Sequence, residues 1–393
     1  MSIAATLTLR ETGTIDWDAI VVGAGPSGAI AARGLALTGR KVLLVDKARF
    51  PRWKVCGCCL NLRALSVFDE AGLGSLVRER GGVPLHRIEV ASMGGRCQLP
   101  LPGGVTLSRE ALDAALVEAA IQAGAQFLPQ TSASLEGVAA DYRTARLRSG
   151  DEAVTAQARL VVVASGLGSK LLTDSEEFAT TPTPGSRIGA GAIAPVAPSG
   201  YESGTIYMAC AKAGYVGFTM IEGGRLDVAA ALNADAVRTN GGLARVASRV
   251  LEEAGFREMT DLDSLDWRGT PALTRHTARI SAHRLLLVGD AAGYVEPFTG
   301  EGMAWALSGG AELARIASRI LPQWHSAIED EWRLCYRRMV TQRQLVCKAL
   351  SALLRHPRLT ATIVRALAVA PGLARPLIRQ LNAEVTRATR SSA

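Results

Sequence analysis

The stretch Trp17–Asp46, WDAIVVGAGPSGAIAARGLALTGRKVLLVD, determines how the rest of the chain is interpreted. Its apolar residues 19–22 predict a strand, the alanine-rich residues 26–37 predict a helix, and the apolar residues 42–45 predict a second strand. Three glycines at G-x-G-x-x-G spacing occupy the turn between the first strand and the helix, and Asp46 ends the second strand. This order of elements predicts a Rossmann-type dinucleotide site.

Each residue of this predicted site has a physical role. Gly23 permits the tight turn, Gly25 lets the backbone approach a pyrophosphate, and Gly28 allows the helix and the strand to pack closely. The first turn of the helix then offers free N–H groups to the anion. Asp46, eighteen residues after Gly28, is expected to accept hydrogen bonds from a ribose diol. The predicted cofactor contacts in this stretch are Gly23, Gly25, Pro26, Ser27, Gly28 and Asp46.

Length and composition indicate a globular protein of two closely packed domains, because 393 residues exceed one average core and 48% of them are hydrophobic. The sequence has no uninterrupted run of about 20 apolar residues, the length that a membrane span needs. Residues 1–15 lack the basic, apolar and cleavage segments of a signal peptide. We therefore expect a loose N-terminal tail on a cytoplasmic protein.

The cysteines and the charge distribution exclude several classes of protein. Three of the seven cysteines lie at 56, 58 and 59 and the others are scattered, which fits neither a disulfide framework nor paired C-x-x-C zinc ligands. No metal site is therefore predicted. Of the net charge of +8, +6 lies in residues 354–393, which hold seven arginines and one acid. The rest of the chain is nearly neutral, and this argues against nucleic-acid binding.

A basic loop follows the predicted ribose position. Lys47, Arg49, Arg52 and Lys54 lie within eight residues, and Pro51 interrupts any regular element there. These cations either balance the charge of a bound cofactor or form an ordinary solvated charge run. We predict that Lys47 and Arg52 contact the cofactor.

The run PRWKVCG at 51–57 resembles the P-R-x-K-x-C-G segment of the geranylgeranyl reductase family, within the larger group of flavoproteins built like para-hydroxybenzoate hydroxylase. The resemblance implies that the first site binds FAD. It also implies that Cys56 and Gly57 lie beside the isoalloxazine, with the cysteine at its substrate face. This chain has Cys58 where the family usually has a second glycine. Because neighbouring cations lower the pKa of a thiol, Cys56 is either a reactive thiol or a small core residue.

Two further segments resemble cofactor-binding motifs of the same flavoproteins. Ser108 is predicted to cap a helix that opens at Arg109, and its R-x-x-L-D-x-x-L pattern resembles one in which the arginine contacts the cofactor phosphates or ribitol. Residues 164–169, ASGLGS, resemble the A-D-G-x-x-S motif that touches the ribose and the pyrophosphate. Ser165 replaces the usual aspartate and carries no charge, whereas Gly166 keeps the glycine.

The run GDAAGYVEPFTGEG at 289–302 resembles the corresponding segment of the geranylgeranyl reductase family almost residue for residue. The Asp290 carboxylate is expected to accept hydrogen bonds from the ribityl chain. Backbone N–H groups of residues 299–302, at a helix N-terminus, are expected to stabilise negative charge on the reduced flavin. The predicted contacts in this run and just after it are Gly289, Asp290, Pro297, Gly300, Glu301, Gly302 and Met303.

The segment from 181 to 273 has the short runs and glycine-rich turns of a sheet, which we predict to be the substrate domain. Tyr215 and Phe218 partly match a Y-x-W-x-F-P stretch that lines the lipid channel in geranylgeranyl reductases, and we predict that both line the substrate site. The predicted fold class is α/β, with a Rossmann-type FAD-binding domain, a mixed-sheet (α+β) substrate domain and C-terminal helices. The predicted domains are a flexible tail at 1–15, a discontinuous FAD-binding domain at 16–80, 105–180 and 281–325, a substrate domain at 81–104 and 181–280, and a C-terminal helical segment at 326–393.

The C-terminal tail interleaves leucine, isoleucine and valine with arginines. A helix of this composition either docks on an anionic membrane surface or covers an apolar face of its own protein. A peripheral contact of this cytoplasmic protein with the membrane is therefore one of the two interpretations of the tail.

The sequence contains one complete dinucleotide fingerprint, so the electrons are expected to come from NAD(P)H that binds transiently or from a reduced electron-transfer partner. The resemblance favours an FAD-dependent oxidoreductase that reduces carbon–carbon double bonds of a hydrophobic small molecule. Two alternatives stay open at this point. One is an FAD-dependent monooxygenase that hydroxylates or epoxidises an aromatic, polyketide-like or isoprenoid substrate, and the other is a non-catalytic prenyl- or lipid-binding protein of the same fold.

Overall fold

The computed structural model of the chain describes residues 2–167, 176–256, 262–296, 298–321 and 324–382. The strands, numbered in chain order, are β1 (Asp16–Val22), β2 (Val42–Val45), β3 (Cys59–Leu60), β4 (Val83–Pro84), β5 (Arg87–Ser92), β6 (Gly95–Pro100), β7 (Val105–Thr106), β8 (Gln126–Leu128), β9 (Ser132–Val138), β10 (Arg143–Ser149), β11 (Glu152–Val163), β12 (Thr180–Pro182), β13 (Ile188–Ala194), β14 (Thr205–Ala211), β15 (Gly214–Met220), β16 (Leu226–Leu232), β17 (Arg268–Ala272), β18 (Arg275–Thr277), β19 (Ser281–Ala282) and β20 (Leu285–Leu287). The α-helices are α1 (Leu9–Thr12), α2 (Pro26–Ala36), α3 (Leu62–Glu70), α4 (Leu76–Glu79), α5 (Arg109–Gln122), α6 (Ala234–Thr239), α7 (Leu243–Ala254), α8 (Gly302–Ile320), α9 (Ala327–Tyr336), α10 (Gln342–Leu353), α11 (Pro357–Val369) and α12 (Arg375–Asn382).

The first sheet is built around the stretch 17–46. Its strand order is β19-β20-β11-β1-β2-β8, and β10 and β9 extend it beside β11. Strands β20, β11, β1, β2 and β8 run parallel. The runs of valine and leucine in β2 and β20 are buried throughout, as expected for parallel strands that are covered on both faces. The predicted Rossmann-type domain is therefore confirmed.

The second sheet has the strand order β17-β13-β16-β15-β14-β5-β6. Strands β5 and β6 come from residues 87–100 and the others from 188–272, so two separate parts of the chain build this sheet. Helix α7 covers one face of the sheet with Val246, Val250 and Leu251. The opposite face of the sheet borders the cavity that lies against the first domain. The two sheets and the helices together confirm the predicted fold class.

Helices α2 and α8 cross at close range because glycines lie at the crossing. A Cβ on Gly310 would lie 2.2 Å from the backbone oxygen of Ser27, and a Cβ on Gly34 would lie 2.7 Å from the Cβ of Ala314. The close crossing brings the N-termini of α2 and α8 to the same cavity.

The prediction of a loose N-terminal tail is wrong for residues 2–15. Thr8 and Glu11 form a capping box that starts α1. Leu9 of this helix is buried in the core of the first domain. The cap satisfies the free N–H groups of a very short helix, and burial of the leucine holds the segment on the domain.

The C-terminal helices lie on the second sheet. Helix α11 packs on β5 and β6, where Val364 meets Cys97 and Leu99. A 3₁₀ turn, Pro371–Ala374, joins α11 to α12. Within the described ranges no single helix has the length and hydropathy of a membrane span. Helix α11 and the residues 371–382 reach these values only as a pair, which is bent by 115°.

Candidate active site

A cavity of about 670 Å³ lies between the two sheets and extends beneath the C-terminal helices. One end, here called the cofactor end, is lined by the turn between β1 and α2, the loop 53–60 and the start of α8. The other end, here called the lipid end, is lined by side chains of β5, β6, β14, α10, α11 and α12. The two ends differ in their chemistry.

The turn between β1 and α2 can hold a pyrophosphate. Gly23 has a φ of +106°, and a Cβ on Gly28 would lie 1.8 Å from the carbonyl oxygen of Gly23, so both positions require glycine. A Cβ on Gly25 would meet only the guanidinium nitrogens of Arg52 and Arg109, at 3.6 and 3.7 Å. The N-terminus of α2 has no side-chain cap. An anion at Gly25 would therefore meet free N–H groups and two guanidinium groups.

Acidic partners hold these two arginines in position. Arg109 donates hydrogen bonds of 2.8 and 2.7 Å to the Asp113 carboxylate. Arg52 contacts the same carboxylate at 3.1 Å and Asp46 at 3.7 Å. Asp46 also accepts a hydrogen bond of 2.8 Å from the N–H of Ala24. The alternating charges restrict both guanidinium groups before any ligand arrives.

Lys54 and the turn after β11 form another part of the wall. Burial, together with the positive charge of Arg109, lowers the pKa of Lys54. The Lys54 Nζ lies 2.9 Å from the position that a Cβ on Gly166 would take. The Ser165 hydroxyl is buried and has no hydrogen-bond partner within the described residues. An ammonium group and an unpartnered hydroxyl both suit the phosphates and ribose of a dinucleotide.

The turn before α8 completes the cofactor end. Asp290, Gly300, Gly302 and Met303 line the cavity, and α8 begins at Gly302 without a side-chain cap. Gly300 has a φ of +70°, and a Cβ there would meet nothing within 4 Å. Free N–H groups at this terminus suit the negative charge that a reduced flavin carries. The two uncapped helix N-termini and the unpartnered Ser165 hydroxyl are the features by which the residues present fit FAD.

The structure brings most of the predicted site residues to the cavity, although not all of them. Lys47 is exposed and does not line the cavity. The Glu301 carboxylate faces Arg343 at 3.8 Å, and Gly289 shapes the turn before α8 with a φ of +65°. Pro297 lies outside the described residues. The predicted residues that line the cavity are Gly25, Pro26, Ser27, Cys56, Gly57, Arg109, Gly166, Tyr215, Phe218, Asp290, Gly300, Gly302 and Met303.

Three groups that can carry a proton meet between the two ends. A hydrogen bond from the Cys58 thiol and the positive charge of Arg109 outweigh burial and lower the pKa of Cys56 to about 6. The Cys58 thiol donates a hydrogen bond of 3.8 Å to the backbone oxygen of Cys56. Asp227, a cavity-lining carboxyl that is 2% exposed, lies close to this thiol. Burial and the negative charge of Cys56 raise the pKa of Asp227 well above its ordinary value. Burial therefore favours the protonated form of Asp227.

The sequence did not predict Cys58 or Asp227 as site residues. Cys58 has a φ of +53°, a left-handed conformation that favours glycine, and this explains why the resembling family usually has glycine there. Asp227 lies in the otherwise apolar strand β16, and a buried acid in such a strand is the signal that could have identified it. Lys54 and Asp113 were likewise not predicted as parts of the site.

The two aromatic residues predicted to line the substrate site point in opposite directions. Tyr215 faces the cavity, and its buried hydroxyl has no hydrogen-bond partner among the described residues. Phe218 belongs to the same strand, but its ring packs on the far side of the sheet against Tyr207 at 5.0 Å and Phe256 at 5.3 Å. Phe218 thus borders the cavity as predicted for the substrate site, but its ring faces away from the cavity, because residues three apart in a strand lie on opposite faces.

The lipid end has a predominantly apolar lining. It includes aliphatic side chains from two strands of the second sheet and from three C-terminal helices: Ile88, Val90, Leu99, Leu353, Ile363, Val364, Leu367, Leu377, Ile378 and Leu381. Such a lining is suited to a hydrocarbon chain, because it offers few partners to a polar ligand.

Comparison with known proteins agrees with this geometry. The family described as FAD binding domain matches residues 16–323. Menaquinone reductase of Mycobacterium tuberculosis is 28% identical over 390 residues, which cover 88% of this chain and 86% of that protein. Digeranylgeranylglycerophospholipid reductase of Methanosarcina acetivorans is 32% identical over 165 residues, 39% of each protein.

Solved structures share the fold at low sequence identity. The flavin-dependent brominase Bmp2 superposes with a TM-score of 0.78 and 14% identity over 94% of both chains. p-Nitrophenol 4-monooxygenase PnpA from Pseudomonas putida superposes with a TM-score of 0.77 and 15% identity, over 94% of this chain and 99% of that one. At these identities the similarity shows the fold alone.

Proposed function

Because this chain belongs to the FAD binding domain family and is an FAD-dependent oxidoreductase, we propose that it reduces carbon–carbon double bonds in the isoprenoid chain of a hydrophobic lipid. The observation that carries the proposal is the continuity of the cavity from Cys56 to the apolar side chains of α11 and α12. A long apolar lining suits an extended hydrocarbon, whereas an aromatic ring is better served by a short pocket with polar groups.

The named relatives support this class of substrate. Menaquinone and digeranylgeranylglycerophospholipid, the compounds in the names of two relatives, both carry isoprenoid chains. The first of these relatives is similar over most of this chain, so the similarity includes the second sheet as well as the cofactor end.

The cofactor end would hold FAD mainly through backbone groups and fixed charges. The N-terminus of α2, with Arg52 and Arg109, would bind the pyrophosphate, and Asp46 would bind the ribose. The N-terminus of α8 would face the flavin ring, beside Asp290. When bound and reduced, FAD supplies the hydride that one carbon of the double bond accepts.

The chain must supply the proton that saturates the other carbon. We assign this proton to the thiol form of Cys56, because Cys56 faces the cavity. With a pKa of about 6, this proton-donating form is favoured at acidic pH. The S–H bond of Cys56 breaks as the new C–H bond forms. A proton then returns to the Cys56 thiolate from Asp227, whose protonated form burial favours, and Asp227 regains its own proton from solvent at the end of the cycle.

The electron donor is part of the proposal. The sequence has one complete dinucleotide fingerprint, which the FAD would occupy. NAD(P)H would therefore reduce the cofactor by transient binding, or a reduced protein partner would do so.

The proposal is tested with the FAD-loaded protein under anaerobic conditions. Menaquinone and a digeranylgeranylglycerophospholipid are incubated with NADH, NADPH or dithionite as reductant, and the products are analysed by mass spectrometry after exposure to air. We expect a gain of two hydrogen atoms in the isoprenoid fragment of at least one lipid. Air reoxidises a quinol ring but leaves a saturated chain unchanged, so this design separates chain reduction from ring reduction.

Three results would contradict the proposal. They are a quinone that is reduced under anaerobic conditions but recovered unchanged after exposure to air, an oxygenated product formed only with O₂, and no product with any lipid although the flavin is reduced. The second result would support a monooxygenase. Cys59→Ser serves as the matched control for Cys56→Ser, because Cys59 lines the same cavity without a place in the proton path.

A further inference from the structure

The C-terminal part of the chain is strongly basic. Residues 332–383 contain ten lysines and arginines and no aspartate or glutamate. Five of these cations, at 355, 358, 365, 375 and 379, lie on or next to α11 and α12 and are exposed. None of the five forms an ion pair with an acid within the described ranges. Arg355 and Arg365 donate instead to the backbone oxygens of Gly185 and Met93.

An apolar tip lies in the middle of this basic surface. The exposed residues at 366 and 368–373 read Ala, Ala, Val, Ala, Pro, Gly and Leu, and they form the bend between α11 and α12. Val369 is 88% exposed and Leu373 is 69% exposed. An exposed run of this kind is unusual for a protein surface that faces water only.

The same two helices cover the lipid end of the cavity with their inner faces. Ile363 and Leu367 of α11, and Leu377 and Ile378 of α12, line the cavity. The hairpin of α11 and α12 thus separates the cavity from the outside, and its bend presents apolar residues outward.

We propose that the α11–α12 hairpin docks on an anionic membrane, with the tip 366–373 inserted among the lipid headgroups, and that the cavity receives its lipid chain from this bilayer. The arginines beside the tip complement the phosphates of anionic lipids, which is why a membrane suits this surface better than a second copy of the same basic hairpin. The membrane contact stands on the exposed tip and the charges. The entry of the lipid rests on the proposed function.

Vesicle flotation of the full-length FAD-loaded protein tests the contact. Phosphatidylcholine vesicles are compared with vesicles that contain phosphatidylcholine and phosphatidylglycerol in equal amounts. We expect binding to the mixed vesicles, and at least about tenfold weaker binding for Val369→Asp/Leu373→Asp and for Arg358→Glu/Arg375→Glu. Val196→Asp is the matched control, because Val196 is 74% exposed on the second-sheet domain and lies outside the hairpin.

The outcomes separate this proposal from the proposed function. Equal binding by the wild type and both hairpin variants would overturn the docking proposal, as would a wild-type dimer in solution that the tip variant converts to monomer.

If the tip variant keeps its rate on a short, water-soluble isoprenoid but loses its rate on a vesicle-embedded lipid, lipid entry through the hairpin is supported. Equal rates of wild type and tip variant on the embedded lipid would overturn lipid entry. If no isoprenoid is reduced at all, the proposed reduction of the isoprenoid chain is refuted. The vesicle flotation then tests the docking proposal independently of the reaction.

Discussion

The two ends of the cavity are lined by different parts of the chain. At the cofactor end, the contacts come from glycine turns, two uncapped helix termini and arginines that acidic partners already hold. At the lipid end, they come from aliphatic side chains on strands and on three helices of the chain's last fifth. The cofactor end requires glycine, which has no side chain, at particular positions. The lipid end requires only enough apolar volume.

This difference predicts how each end responds to mutation. A methyl group added to a glycine at the cofactor end should destabilise the fold or weaken cofactor binding, because the closely packed backbone there cannot move away from the added atom. At the lipid end, larger substitutions should change the preferred substrate and leave the fold unchanged, because volume changes on a helical hairpin can be absorbed.

The largest effect is expected for Gly28→Ala. Its Cβ would lie 1.8 Å from the Gly23 carbonyl oxygen, so β1 and α2 would have to separate. We expect a loss of about 3 kcal/mol or more in the free energy of unfolding, measured by thermal and denaturant unfolding. Gly372→Ala is the control, because a Cβ there meets nothing within 4 Å. Equal stability of both variants would contradict the close packing at Gly28.

Gly25→Ala should separate cofactor binding from folding. A Cβ at this position meets no atom closer than 3.6 Å in the protein, but it occupies the side from which a pyrophosphate approaches. We expect an unchanged melting temperature of the apoprotein and an FAD dissociation constant raised about 100-fold, measured by flavin fluorescence titration. Unchanged FAD affinity would show that the pyrophosphate binds elsewhere.

Asp227→Asn tests the proposed proton path, which lies between the two ends of the cavity. The amide has the shape of the acid but cannot supply a proton, so we expect a rate of lipid reduction lowered about 100-fold. Because burial raises the pKa of Asp227 above the value in the unfolded chain, the native protein loses stability as the pH rises from the ordinary carboxyl range towards that raised pKa. The variant should therefore unfold at a higher temperature than the wild type at pH 8. Full activity of Asp227→Asn would contradict the proton path.

Cys58→Gly should change the acidity of Cys56 while keeping the backbone conformation. The variant removes the thiol that donates to Cys56, so the pKa of Cys56 should rise from about 6 towards its ordinary value. The pH dependence of iodoacetamide alkylation of Cys56, followed by mass spectrometry, measures this. Identical alkylation profiles in wild type and variant would mean that Cys58 does not tune Cys56.

The smallest effect is expected at the lipid end. Leu367→Trp fills part of the cavity beneath α11, so the specificity constant for long isoprenoids should fall several-fold relative to short ones. FAD affinity and melting temperature should stay close to those of the wild type. Leu359→Trp lies on the same helix but is 49% exposed, and it should not alter the preference. An equal effect of both variants would argue against the channel.

The same difference explains what could be predicted from the sequence. Backbone recognition leaves a signature, because glycines at Gly23, Gly28 and Gly300 are required by φ or by close approach. The Rossmann-type sheet, the turn at Gly25 and the turn before α8 were therefore predictable. An apolar channel leaves no such signature, since any leucine in α11 can be a core residue or a lining residue until its neighbours are known.

The wrong and missing predictions have physical causes of their own. In the Y-x-W-x-F-P pattern the phenylalanine follows the tyrosine by four residues, whereas Phe218 follows Tyr215 by three, so strand alternation sends its ring to the opposite face. Asp227 stands in an apolar strand, and its contact with Cys58 joins residues far apart in the chain. The N-terminal helix depends on a capping box and one buried leucine, which is too little signal in a short polar segment.

The separation of charge along the chain also has a kinetic consequence. Residues 332–393 carry a net charge of +11, which leaves −3 for residues 1–331, so the net positive charge is concentrated in the last part of the sequence. The field of an anionic bilayer would rotate the approaching protein until the hairpin faces the lipids, and physiological salt limits this field to about 8 Å. Arginine variants should therefore slow the encounter, most clearly at low ionic strength, whereas variants of the apolar tip should shorten the residence time once the protein has arrived.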